Sequence, residues 1–258
     1  MKHCETEIIR IAYNAGVADE YQRLTCPDGK IEFSKVCSAI EKYTKTGSVI
    51  YDIGCGPGIY TEYLVRKGFY VGCVDLSEKS IAMCNERFPG MYSNHVLFKE
   101  VCCASELNWA ETESADTILL LGPMYHITNE SKRKLIIEQC HRLLKKDGFI
   151  ICMFMSIFPA IEYENAAKNN ILKIEEFQNH IVTTVNFKGF NVPQYRCWPN
   201  SAINEFYPMF SHKEIIHIDN VFPEKKKLEF LTPELSALKD FEFSHQYFIV
   251  FKKGKIEQ

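Results

Sequence analysis

A large excess of either charge is missing from this chain: 30 lysines and arginines face 33 aspartates and glutamates, a net charge of −3. That balance excludes the basic footprint expected of a nucleic-acid or anionic-membrane binder. The lysines of EKKKLEF (224–230) are mixed with glutamate and read as a solvated turn. Long hydrophobic runs are also missing. The longest, FIICMFMSIF (149–158), is too short to span a bilayer and reads as a buried strand. The opening MKHCETEIIR has no apolar core of a signal peptide, so a cytoplasmic, soluble protein is expected. No C-x-x-C pair occurs among the eleven cysteines, and Cys102 and Cys103 are adjacent, too constrained for a zinc site. Reduced thiols packed as small apolar residues are expected, and no metal. Internal repeats and low-complexity stretches are absent.

What is present is alternation. Residues 5–24 have helical rhythm, broken near Asn14–Gly16, and FSKVCSAIEKY (33–43) carries an apolar face at helical spacing. Strands are predicted at 48–53, 69–76, 95–101, 116–121 and 149–155. Helices are predicted at 59–67, 77–88 with Ser77 as N-cap, and 130–146 stopped by lysines and Gly148. Such alternation, with strands apolar along their length, predicts an α/β domain around a mostly parallel sheet covered on both faces. After Ser156 the rhythm fails. Residues 157–210, rich in aromatics and prolines, read as an inserted cap. A short helix is expected at 211–222 and two last strands at 226–231 and 245–253.

The turn YDIGCGPGIY (51–60) places Gly54, Gly56 and Gly58 between the first strand and a helix. A dinucleotide fingerprint is G-x-G-x-x-G, and here its third glycine position is Ile59. Asp52 would moreover repel a pyrophosphate. Asp75, at the end of the second strand, has the place and chemistry to accept both hydroxyls of a ribose. A nucleoside with a cationic, phosphate-free tail satisfies all of these: S-adenosylmethionine (SAM), with S-adenosylhomocysteine (SAH) as product.

DIGCGPG, VDLS and LLKKDGFIICMF, in that order, resemble the first, second and fifth-strand segments of the class I SAM-dependent methyltransferases over 48–156. LGPMYH (121–126) is similar to the L-G-P-x-Y-H loop of small-molecule members related to ubiquinone- and menaquinone-biosynthesis enzymes. The resemblance implies a three-layer Rossmann-like fold: a mostly parallel seven-stranded sheet with the last strand antiparallel, a helical N-terminal lid (1–47), a SAM-binding core (48–156), a substrate-cap insertion after strand five (157–210) and a C-terminal part of the core sheet (211–258). Gly54, Cys55, Gly56 and Gly58 would pack on the methionine portion, Asp52 would lie near its ammonium, and Asp75 and Leu76 would hold ribose and adenine. Cys103, Ala104 and Ser105 either meet the adenine edge or simply end a strand. Leu121 and Gly122 would border the cofactor at the exit of the fourth strand.

That exit lacks the Asn/Asp-Pro-Pro-aromatic signature of DNA amino-methyltransferases, so a small-molecule acceptor is expected and no nucleic acid, in a monomer or homodimer. Transfer would be direct, in line and metal-free, which leaves orientation and water exclusion to the protein. His126 is either a general base or a packed residue lining the pocket. Tyr125, the other candidate there, reads as a wall or polar contact. Tyr13 would cover the sulfonium and Arg23 pair with the cofactor carboxylate, if the first helix is a lid rather than only docked on the sheet. Phe187, Phe190, Tyr195, Trp198, Phe206, Tyr207 and Phe210 either line an acceptor cavity or belong to the core. A non-catalytic SAM-binding partner subunit and, less favoured, an aminopropyltransferase or nicotinamide enzyme are the alternatives.

Overall fold

The computed structural model describes residues 4–87, 94–157, 180–218 and 244–254. Its centre is a parallel run of strands β1 (Val49–Ile53), β2 (Tyr70–Asp75), β3 (Val96–Val101), β4 (Ala115–Leu120) and β5 (Leu144–Met155), in the order β3-β2-β1-β4-β5. Helices α1 (Glu5–Thr25) and α2 (Pro27–Tyr43) precede it; α3 (Ile59–Arg66), α4 (Glu78–Arg87) and α5 (Glu130–Leu143) lie between its strands. Because side chains alternate along a strand, Tyr51, Ile53, Ile118 and Leu120 enter one apolar layer with Ile136 and Ile137 of α5. Ile50, Leu119 and Ile151 enter the other, with Ile40 of α2 and Leu64 of α3. Both faces are covered, as continuous apolar strands require. Chain order reverses between β1 and β4, so ligands belong at the carboxyl ends of those two strands.

Ser77 caps α4 by accepting the Ser80 N–H at 3.1 Å, and Asn129 caps α5 by accepting that of Lys132 at 3.0 Å. Elsewhere tertiary structure departs from the expected pattern. α1 runs unbroken through Asn14–Gly16, and α2 starts six residues before the apolar repeat, at Pro27, the residue favoured at a first helical position. α5 stops at Leu143, and the lysines and Gly148 taken for its end belong to β5. There Asp147 takes a positive φ of 64° and the pairing with β4 shifts.

The cap segment is not irregular. Its described part holds a hairpin, β6 (His180–Phe187) and β7 (Phe190–Cys197), and helix α6 (Pro199–Phe206). Residues 210–217 are β8, not a helix, and pair with β9 (Gln246–Lys253), which lies antiparallel against β5 over its length. β7 touches β5 at the Met155–Arg196 pair and continues the sheet to β6. The described sheet therefore has nine strands rather than seven. The strand expected at 226–231 lies outside the described residues.

Candidate active site

β1 delivers the chain to the glycine turn. Gly54, Gly56 and Gly58 have φ of +81°, +53° and +81°, a region that side-chain-bearing L-residues rarely adopt. The amides of Gly54 and Cys55 both donate to the Val74 carbonyl, at 2.7 and 3.0 Å, which straps the turn to β2. A Cβ on Gly54 would stand 2.7 Å from Pro123 Cδ, so the missing side chain lets the exit of β4 close in. A Cβ on Gly56 would meet nothing within 4 Å, and that bare backbone borders a cavity of about 130 Å³.

The cavity gathers Gly54, Cys55, Gly56, Asp75, Leu76, Cys103, Ala104, Leu121, Gly122, Tyr125 and His126 with Tyr13 and Arg23 of α1. Three expected residues do not line it. Gly58 is the N-cap of α3, and Ser105 lies beyond the strand end that reaches the cavity. Asp52 is buried beneath the turn, where the Thr61 hydroxyl donates to its Oδ2 at 2.8 Å. It has the parity of Ile50 and so faces α3; burial pushes its carboxyl up to about 7. Asp52 braces the turn from below instead of facing a ligand.

Asp75 does face the cavity. Its carboxylate accepts the Gly56 and Ser77 amides, each at 2.8 Å. Burial pushes it up to about 6, against those backbone donors. At the other end Arg23 is held by Glu20 at 3.0 Å and by buried Glu32 at 2.7 Å. Neither glutamate was legible as a site residue, because Glu32 belongs to α2 and nothing local marks it. The Tyr60 hydroxyl also points to Glu32, at 3.4 Å.

His126, buried in the 3-10 turn Pro123–His126, is hydrogen-bonded at both ring nitrogens. Nδ1 lies 3.1 Å from the Pro193 carbonyl of β7 and Nε2 lies 2.5 Å from the Tyr13 hydroxyl. Burial lowers its pKa to about 4, so the ring is neutral at pH 7. A carbonyl can only accept, hence Nδ1 carries the proton and Nε2 accepts from Tyr13. The Tyr125 ring packs 4.6 Å from the imidazole, and its phenol is pushed up by burial.

α1 is fastened over this cavity from two sides. Arg10 and Asn14 hold Glu78 of α4, and Phe187 at the hairpin tip packs 5.3 Å from Tyr13, with Lys188 paired to Asp19 at 2.7 Å. Of the aromatics expected to roof an acceptor site, Phe206 and Phe210 lie instead in the core with Phe251, Tyr195 stacks on Arg133, and Tyr207 is exposed.

The residues fit SAM. Arg10 and Arg23 against Glu20, Glu32 and Asp75 leave one negative charge in excess on the cavity wall, matching a ligand whose sulfonium and ammonium outnumber its carboxylate. Asp75 brings a carboxylate to the cavity wall, and Leu76 an apolar side chain beside it. No group of three metal-ligating side chains occurs among the described residues.

The comparisons agree with this geometry. Residues 50–148, which contain the glycine turn, Asp75 and the β4 exit, match the methyltransferase domain family. Over that stretch the chain is similar to methyltransferase domains. Over 121 residues it is 31% identical to a tRNA (carboxymethyluridine(34)-5-O)-methyltransferase of Arabidopsis thaliana, covering 46% of this chain and 27% of that protein. Over 114 residues it is 27% identical to a ubiquinone biosynthesis O-methyltransferase of Xanthomonas oryzae pv. oryzae, covering 44% and 46%. The chain thus spans less than half the length of these curated relatives. The fold is similar to that of Burkholderia thailandensis 1,6-didemethyltoxoflavin-N1-methyltransferase, solved with bound 1,6-didemethyltoxoflavin and SAH: TM-score 0.66, 15% identity, 99% of this chain and 92% of that one. No helix among the described residues is long and apolar enough to cross a membrane.

Proposed function

We propose that this chain binds SAM in the cavity between α1 and the glycine turn and methylates a small-molecule acceptor in the cytoplasm. The observation that carries the reading is convergence: the glycine turn, Asp75, the β4 exit and α1, four separate stretches of sequence, border one cavity. When bound, SAM supplies an electrophilic methyl group and leaves as SAH. Asp75 would accept the ribose hydroxyls, Leu76 and Ala104 would flank the base, and the bare turn from Gly54 to Gly56 would lie along the tail. Arg23 would take the tail carboxylate, with Glu20 and Glu32 turned to its ammonium. Within the expected divisions 1–47, 157–210 and 211–258, α1 and α2 would serve as the lid, the β6–β7 hairpin with α6 as the acceptor cap, and β8 and β9 as the closing part of the sheet. α1 and the hairpin exclude water from the reacting centre, the main service such a transfer needs.

The net charge of −3 favours a small molecule over a polyanionic RNA. Calorimetric titration with SAM and with SAH tests the reading. Micromolar binding that Asp75→Ala weakens at least tenfold is expected; absence of binding to either ligand at millimolar concentration refutes it.

A further inference from the structure

We propose that Tyr13 takes the proton of the methyl acceptor and hands its own to His126, so that the acceptor is a protic nucleophile reacting through an O–H, S–H or N–H group. The inference rests on the SAM reading above and deepens it. Tyr13 and His126 are 113 residues apart in sequence and meet only because α1 lies across the β4 exit.

The geometry forbids the simpler route. Both nitrogens of His126 are occupied, Nδ1 by the Pro193 carbonyl and Nε2 by the Tyr13 hydroxyl, so an acceptor cannot reach the imidazole directly. The Tyr13 oxygen donates its hydrogen to Nε2 and keeps lone pairs for a second partner. Tyr13 lines the cavity, and its ring is pinned by Phe187 on one side and the imidazole edge on the other. The chain acceptor–Tyr13–His126–Pro193 is therefore built in one direction.

The balance is simple. For each methyl group gained, the acceptor loses one proton. That proton passes to Tyr13 Oη while the phenol proton passes to His126 Nε2, leaving tyrosine neutral and the ring an imidazolium whose Nδ1–H stays on the Pro193 carbonyl. The positive charge that entered on the sulfonium thus ends on His126, and solvent takes the proton after product leaves. A weakly basic imidazole suffices, because the acceptor proton becomes strongly acidic as its atom bonds to carbon. Tyr13 is the catalytic residue of this relay; His126 acts through it.

The test uses the full chain labelled with 15N-histidine and saturated with SAH, then turnover of SAM with a fixed set of acceptors. Catechol, 2-mercaptoethanol and aniline are the protic members, and pyridine, which is methylated without losing a proton, is the control. His126 is expected to show a protonated Nδ1 and a bare, hydrogen-bonded Nε2, and Tyr13→Phe to shift only Nε2. At least one protic acceptor should turn over, with a solvent isotope effect of about 2. Tyr13→Phe and His126→Gln, which keeps an acceptor for the phenol but cannot store a proton, should each lower that rate at least 30-fold, keep SAH affinity within threefold and abolish the isotope effect. Protonation at Nε2, turnover of no protic acceptor, or protic rates unchanged in both variants overturns the relay. If neither variant folds, the wild-type resonances and isotope effect decide. Failure to bind SAH at all would instead overturn the underlying SAM reading.

Discussion

Gly16 of α1 sits so close to Phe187 that a Cβ on it would lie 2.2 Å from the ring's Cζ. A glycine in a helix interior costs about 1 kcal/mol against alanine, and here that cost admits the hairpin tip to α1. Gly16→Ala regains the helical term while expelling the ring from its seat. Little net change in stability is expected, within about 1 kcal/mol, because the clash falls on the movable end of a side chain. The hairpin should loosen nonetheless. Hydrogen exchange at 186–190 is the measurement: faster exchange supports the contact as the latch, and unchanged exchange refutes it.

The proposed ribose contact of Asp75 predicts that cofactor binding depends on pH. The carboxyl titrates at about 6 in the free protein, and only its ionised form accepts two ribose hydroxyls. Below that point each ligand must first displace a proton, so SAH affinity should fall by about tenfold per pH unit between pH 5 and 4 and level off above pH 7. Asp75→Asn should bind weakly with a flat profile. Calorimetry at four pH values decides it.

Asp52 predicts a stability effect of the opposite sign to that of a salt-bridged aspartate. Its carboxyl is raised from 3.8 to about 7 by burial. The stabilisation it contributes is thus complete below pH 3.8 and is lost as pH rises through 7. Asp52→Asn, which can keep the Thr61 hydrogen bond, should gain about 2–3 kcal/mol relative to wild type between pH 5 and pH 8. Denaturant titrations at both values measure it; a pH-independent difference would mean that Asp52 is not held in its raised state.

Phe206 stacks on Phe251 with centroids 4.1 Å apart and planes 5° from parallel, and Phe154 meets its edge. Phe206→Ala should cost about 3–5 kcal/mol, a fall in melting temperature of roughly 10 °C. SAH affinity should stay unchanged, since the ring lies in the core and off the cavity wall. Coupled losses of stability and affinity would return Phe206 to the acceptor pocket.

Much of the site was legible because its signals are local. A glycine that must take a positive φ, as at 54, 56 and 58, advertises a turn wherever it stands, and apolar runs separated by helical repeats imply strands covered on both faces. Asp75 and the LGPMYH loop could be placed since strand ends in such a sheet converge. Residues 211–217 misled because a mixed polar and apolar string can be helix or strand, and β9, nearly thirty residues further on, made it a strand. The aromatics of residues 187–210 were equally undecided until packing sent Phe206 and Phe210 inward and Phe187 against α1.

The sequence alone determined the α/β class, the glycine turn and the carboxylate at the end of β2, because these follow from backbone conformation and short-range periodicity. Tertiary structure alone decided the rest: that Asp52 lies under the turn, that Glu20 and Glu32 hold Arg23, and that Tyr13 meets His126. Each depends on which faces of distant elements touch, and burial and electrostatics acquire their values only where those faces meet.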